Sequence, residues 1–222
     1  MAFSRREFIG VTAAGLIAAT SPDFLSTLQL QAQSPLTPDE ALKQLMDGNE
    51  RFVAHRLTSF EHDLDILKAS NEEKQEPFAA VLSCADSRVP VELIFDQTIG
   101  HIFVTRVAGN VTTPEIIASL EYGAAVLGVK VILVLGHTGC GAVKAAIQGK
   151  EVPGQISALF PHIQPAIDQA GSDLAAVTKA NAQIQARLLR ESSPVIEPMV
   201  KETKLSVVAG VYDIVTGKVA LA

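Results

Sequence analysis

The chain has 222 residues and a mass of 23.5 kDa, with 48% hydrophobic residues, 19% charged residues and a formal net charge of -6. This balance predicts a soluble, acidic globular protein and excludes a disordered chain or a polyanion binder, so nucleic acid is not an expected partner. The two cysteines, Cys84 and Cys140, are too few for a disulfide-rich scaffold.

The first 32 residues are typical of an export signal. Arg5 and Arg6 lie in a stretch that resembles the twin-arginine export motif, and the apolar run from Ile9 to Thr20 follows it. That run is too short for a membrane-spanning helix, which needs about 20 residues. We therefore expect residues 1–32 to be a signal peptide, the mature protein to have no membrane span, and the location to be periplasmic or otherwise extracytoplasmic.

A helical arm is predicted next, over residues 37–53. Thr37 supplies a capping hydroxyl, Pro38 suits the first helical position and Glu40 completes a capping box. Apolar residues then recur at helical spacing, so one face of this helix must be covered by the main body or by a second subunit.

From residue 78 onward, apolar strands alternate with helical patterns. Continuous apolar strands are expected over 78–83, 101–108 and 130–135, with a helix over 113–128, two helices within 153–192, and a strand, turn and extended piece over 205–221. The pattern predicts an α/β fold: a mostly parallel β-sheet flanked by helices, with the N-terminal helical arm and a C-terminal edge strand, in one domain of residues 33–222.

Chemically reactive residues follow directly after the predicted strands. Cys84, Asp86 and Arg88 follow the first strand, and His137 and Cys140 follow the third. Ligand sites of open α/β sheets form at the carboxyl ends of the strands, so these side chains are expected to converge on one crevice.

Cys84, His137 and Cys140 together are suited to zinc. Two thiolates and one imidazole form a set of three protein ligands, which is the arrangement of a catalytic zinc with one open position. The alternative is a disulfide between Cys84 and Cys140, natural for an exported protein, but it leaves His137 without a role. We expect zinc.

At this point the sequence resembles the β-class carbonic anhydrases. The motifs that carry the resemblance are Cys84-x-Asp86-x-Arg88, His137-x-x-Cys140, Gly48-Asn49-x-Arg51-Phe52, Phe103-Val104-x-Arg106, Glu121-Tyr122 and Gly210-Val211-Tyr212-Asp213. Together they extend over nearly all of the chain beyond the predicted signal peptide.

The resemblance implies a function and a role for each site residue. It implies one Zn²⁺ per subunit on Cys84, His137 and Cys140, with reversible hydration of CO2 to bicarbonate and a proton by zinc-hydroxide attack. Asp86 and Arg88 form the dyad beside the metal.

Substrate contacts and assembly are further expectations from the resemblance. Gln75 and Phe103 match substrate-pocket positions. Apart from the resemblance, Val81 and Phe103 are apolar residues that either add apolar wall to the pocket or belong to the core of their strands. A homodimer or homotetramer is expected. Two alternatives remain open: a related zinc hydrolase of carbonyl sulfide or carbon disulfide, and a zinc-bound carrier without turnover, against which the dyad argues.

Overall fold

The computed structural model of the chain describes residues 34–58, 63, 65 and 75–222. The predicted signal peptide and most of the stretch 59–74 lie outside the described residues. In the described part of the chain, no helix combines the length and the apolar character needed to cross a membrane.

Helix α1 spans Pro38–Val53 and confirms the predicted arm. The Thr37 hydroxyl accepts a hydrogen bond from the Glu40 amide, and the Glu40 carboxylate accepts one from the Thr37 amide, which is the expected capping box. The inner face of this helix, which includes Ala41 and Leu45, is completely buried against the main body of the same chain.

The main body is built on one five-stranded sheet. Its strands are β1 (Ala79–Ser83), β2 (Ile102–Arg106), β3 (Val131–His137), β4 (Ser206–Tyr212) and β5 (Val219–Leu221). The spatial order is β2-β1-β3-β4-β5; the first four strands run parallel and β5 is antiparallel to β4 at one edge. The predicted fold class, including the C-terminal edge strand, is confirmed.

Helices cover both faces of this sheet. They are α2 (Val91–Ile94), α3 (Pro114–Ala125), α4 (Gly141–Gln148), α5 (Phe160–Ala170), α6 (Leu174–Ser192) and α7 (Ile196–Lys201), with a 3₁₀ turn over Ile156–Leu159. Helices α1 and α2 pack on one face, while α3 and α6 pack on the other. Every residue of β1 and β3 is buried, as expected of parallel strands covered on both sides.

The Gly48-Asn49 motif fixes α1 to the rest of the domain. A Cβ atom on Gly48 would lie 1.8 Å from the carbonyl oxygen of Phe95, so only glycine allows this close approach. The Asn49 amide donates to the carbonyls of Ile94 and Gly217 and accepts from the Val219 amide. The motif therefore joins α1 to the end of α2 and to the C-terminal hairpin.

Candidate metal centre

Two chain segments meet at the carboxyl end of the sheet. Cys84 follows β1, His137 is the last residue of β3, and Cys140 is the residue before α4. All three side chains are buried, and one ligand atom from each lies within 4.8 Å of the other two. The convergence predicted from the strand ends is confirmed.

The two sulfur atoms are at a separation suited to a shared metal ion. Cys84 Sγ and Cys140 Sγ are 4.0 Å apart, and both cysteines are free. Two sulfurs bound tetrahedrally to one zinc ion at about 2.3 Å each would be ~3.8 Å apart, whereas a disulfide bond is about 2.05 Å long. The separation fits metal ligation and does not fit the alternative disulfide.

His137 presents a nitrogen lone pair to the same space. Its Nδ1 lies 3.0 Å from the carbonyl oxygen of Thr138, which can only accept, so Nδ1 carries the proton and Nε2 carries the lone pair. Nε2 is buried and has no hydrogen-bond partner. A buried polar atom of this kind is costly unless something binds it, and a metal ion shared with the two sulfurs would do so.

The protein stabilises an anionic sulfur even before a metal is considered. Contact with the Cys140 sulfur, together with His137 and the Gly109 amide at 3.3 Å, lowers the pKa of Cys84. The same contact and burial raise the pKa of Cys140. A divalent cation bound between the two sulfurs would favour the ionised form of both.

The Asp86–Arg88 pair borders the cluster. Arg88 Nε donates to Asp86 Oδ1 at 2.9 Å, and Arg88 Nη2 donates to Asp86 Oδ2 at 2.7 Å. These hydrogen bonds hold the pKa of Asp86 well below its ordinary value. Asp86 Oδ2 lies 3.9 Å from His137 Nε2, so an ionised carboxylate faces the space that the three ligand atoms enclose.

Two supporting residues have roles that were not predicted from the sequence. Arg106, at the end of β2, donates to the carbonyl oxygens of Cys84 and Asp86 at 3.0 and 2.6 Å, and so holds the loop that carries both. The backbone amide of Gly109 donates to Cys84 Sγ. A sequence signal existed for both, since Arg106 ends the neighbouring strand β2 and Gly109 follows it, and the carboxyl end of β2 lies at the same edge of the sheet.

Comparison with known proteins decides the family. A family model described as carbonic anhydrase matches residues 79–219, which is more than half of the chain. The carbonic anhydrase of Mycolicibacterium smegmatis is 37% identical over 195 residues, which covers 83% of this chain and 93% of the relative. This chain belongs to the carbonic anhydrase family.

Its fold is that of the β-class carbonic anhydrases. The chain matches a structure described as one of two tetrameric β-carbonic anhydrases from the filamentous ascomycete Sordaria macrospora, with a TM-score of 0.65 and 22% identity, over 82% of this chain and 96% of that one. Carbonic anhydrase 2 of Mycobacterium tuberculosis is 47% identical over 110 residues, or 50% of this chain. That match spans about half of the relative's length, 53%.

The three residues expected to form the substrate pocket are not all placed alike. Val81 is completely buried in the core on the α1 face of the sheet, and its expected contribution to the apolar wall of the pocket remains a prediction. Phe103 is half-buried on the opposite face, where its ring packs beside Tyr122 with centroids 6.3 Å apart. Gln75 is exposed ahead of β1. Substrate contact by Phe103 and Gln75 remains a prediction.

Proposed function

We propose that this protein catalyses the reversible hydration of CO2 to bicarbonate and a proton, with one zinc ion held by Cys84, His137 and Cys140. One observation carries the proposal: the partnerless, buried Nε2 of His137 faces two free sulfurs beside a carboxylate held by an arginine. Family membership supports the same activity.

Zinc at this site would supply Lewis acidity, which makes water a competent nucleophile near neutral pH. The chain's own contribution is to orient the attacking water. Asp86 is ionised and can therefore only accept, so it takes a hydrogen bond from that water and directs an oxygen lone pair towards CO2. Arg88 occupies both carboxylate oxygens, which keeps Asp86 in the role of acceptor.

The proposal is tested by measuring zinc content and CO2 hydration on the same preparation. We expect about one zinc per chain and CO2 hydration by stopped flow that increases from neutral to alkaline pH, because two thiolates reduce the charge available to acidify water. Metal-replete protein with no CO2 hydration would refute the proposal. Sulfide release from carbonyl sulfide or carbon disulfide by that protein would then support the alternative hydrolase.

The protein is further proposed to form a homodimer or homotetramer. The matched structure from Sordaria macrospora is described as tetrameric, which supports an oligomer. Because the inner face of α1 is buried in its own chain, deleting α1 would remove part of the core. Sedimentation of the intact protein at several concentrations is the better test, and a monomer throughout would refute this part of the proposal.

Export by a twin-arginine-type signal in residues 1–32 is also proposed, on the paired Arg5 and Arg6 and the short apolar run behind them. The test follows the full-length protein in fractionated cells. We expect a shortened, active form outside the cytoplasm, and expect substitution of both arginines by lysine to retain the full-length form inside. Full-length protein in the cytoplasm of the unmodified strain would refute export.

A further inference from the structure

Two amide side chains, Asn181 and Gln185, are completely buried on helix α6 beneath the metal centre. They are four residues apart and therefore lie on the same face of the helix. The neighbouring buried positions of α6 are mostly alanine, valine and isoleucine. Amides at such positions are costly to bury unless they are hydrogen-bonded, so their contacts indicate what they are for.

These contacts reach the loop that follows β2. Asn181 Nδ2 donates to the carbonyl oxygen of Gly109 at 2.8 Å. Gln185 Nε2 donates to Asn181 Oδ1 at 3.1 Å and to the carbonyl of His162, while Gln185 Oε1 accepts from the amide and hydroxyl of Thr112. Gln185 therefore sets the orientation of the Asn181 amide, with its NH2 group towards Gly109.

Gly109 connects this network to the metal centre. Its carbonyl is held by Asn181, and its amide donates to Cys84 Sγ at 3.3 Å. Its φ is +78°, and a Cβ atom there would lie 3.1 Å from Ile163 and 3.3 Å from Ala142. The loop thus passes through a narrow space in a conformation suited to glycine. By bonding the Gly109 carbonyl, Asn181 fixes the peptide plane that follows Gly109.

We propose that Asn181 is a positioning residue for the metal centre. Through the Gly109 carbonyl it keeps the Gly109 N–H directed at Cys84 Sγ, and Gln185 keeps Asn181 in the required orientation. The proposal rests on the zinc site proposed above.

The consequence is electrostatic. An N–H group that donates to a sulfur ligand stabilises its anionic form, and so favours metal binding over protonation. It also draws electron density from the sulfur, which changes the charge that the sulfur shares with the ion. Groups that orient metal ligands in this way commonly affect metal affinity by about 10- to 100-fold.

The test compares three variants of the intact protein. Asn181→Leu removes the donor to Gly109 at similar volume. Gln185→Leu keeps that donor but removes the group that orients it, together with the hydrogen bonds of Gln185 to Thr112 and His162. The matched control is Thr178→Val, one turn earlier on the same buried face, because the buried Thr178 hydroxyl has no hydrogen-bond partner. Zinc affinity is measured by chelator competition, and the sulfur-to-metal charge-transfer band is recorded on cobalt-substituted protein.

We expect Asn181→Leu to weaken zinc binding about 10-fold and to shift the cobalt charge-transfer band. Gln185→Leu should have a smaller effect in the same direction, and Thr178→Val should leave both readouts unchanged. A purely structural role would lower the thermal stability of the zinc-free protein and leave the cobalt band in place.

Zinc affinity and a cobalt band in Asn181→Leu equal to those of the wild type would overturn the proposal. If Asn181→Leu does not fold, Gln185→Leu decides the matter by the same criteria. Failure of the positioning role is distinguishable from failure of the proposed function. If wild-type protein binds zinc and hydrates CO2, the proposed function stands even when the Asn181 variant shows no effect. A wild-type protein that binds no zinc overturns both.

Discussion

The guanidinium of Arg88 holds the carboxylate of Asp86 by two parallel hydrogen bonds at the margin of the cysteine–histidine cluster, although only one residue separates them in the chain. The backbone amide of Arg88 also donates to Asp86 Oδ1 at 2.9 Å. Side chain and backbone together leave the carboxylate one orientation, in which Oδ2 faces His137 Nε2.

Replacing Arg88 with methionine should therefore reduce kcat for CO2 hydration about 10- to 100-fold, with zinc still bound. The physical reason is that Asp86 would lose its fixed orientation and would no longer direct the attacking water. Arg88→Lys should restore little, because a lysine cannot form the paired hydrogen bonds. Stopped-flow kinetics and zinc analysis are carried out on both variants, and Arg187→Met serves as a control at an exposed arginine. A wild-type kcat in Arg88→Met would contradict the proposed role of the Asp86–Arg88 pair.

The second prediction concerns the thiols. Protein unfolded in the presence of a chelator should titrate two free thiols per chain, because the sulfur atoms of Cys84 and Cys140 are 4.0 Å apart and unbonded. Cys140→Ser should lose stoichiometric zinc, since only two of the three ligands remain. Native protein with no free thiols and no metal would instead establish the disulfide.

Much of the fold and the convergence of Cys84, His137 and Cys140 could be predicted from the sequence. Continuous apolar strands predict a parallel sheet. The residues that follow parallel strands lie at the same edge of the sheet, so Cys84 and His137 were predicted to lie close together. The structure extends β3 two residues beyond the prediction, to His137, because β4 pairs with it as far as Tyr212. Helices α2 and α7, of four and six residues, gave no periodic signal long enough to identify.

The rest of the site depends on contacts that sequence spacing does not encode. The Arg106 guanidinium donates to backbone carbonyls, the Gly109 backbone amide donates to Cys84 Sγ, and Asn181 donates to a loop 72 residues away. For Val81, a strand-core position and a pocket position have the same apolar character in sequence, and the structure buries this side chain completely. Which of them a residue becomes is decided by how the helices pack.

Arg106 is the subject of the third prediction. It donates to the carbonyl oxygens of Cys84 and Asp86, so Arg106→Met should loosen the loop that carries the proposed metal ligand Cys84 and the proposed water acceptor Asp86. We expect about a 10-fold loss of kcat/KM with weaker zinc binding. Chelator competition and stopped flow measure the two effects, and Lys144→Ala on α4 is a charge-matched control. An unchanged zinc affinity and an unchanged kcat/KM in Arg106→Met would show that the loop is rigid without Arg106.

The fourth prediction is a pH dependence of stability at Asp96. Burial alone would raise the pKa of this carboxyl, but hydrogen bonds from Arg51 and from the hydroxyl and amide of Thr58 outweigh it and lower the pKa. Because the folded pKa lies below the unfolded one, this stabilisation is present above the unfolded value of about 3.9 and is lost as the pH falls through the folded value.

Asp96→Asn should therefore lower the free energy of unfolding by about 1–3 kcal/mol near neutral pH. The difference from the wild type should persist down to about pH 5 and shrink below about pH 4. Asn tolerates the positive φ of 46° at this position, so backbone strain does not contribute. Urea unfolding at several pH values measures the effect, and a difference that is constant across the acid range would contradict ionisation of Asp96 as its source.

The last prediction concerns Gly48, where α1 approaches the end of α2. Gly48→Ala would place a methyl group 1.8 Å from the Phe95 carbonyl oxygen, and a backbone atom cannot turn aside as a flexible side chain can. The helix must then move outward, which would also break the hydrogen bonds of Asn49 to Gly217 and Val219. We expect a loss of at least about 3 kcal/mol in the free energy of unfolding, measured with urea. Lys43→Ala, exposed on the same helix, should change it by less than about 0.5 kcal/mol. Wild-type stability in Gly48→Ala would mean that α1 does not pack on its own chain, and its apolar face would then be available to a second subunit.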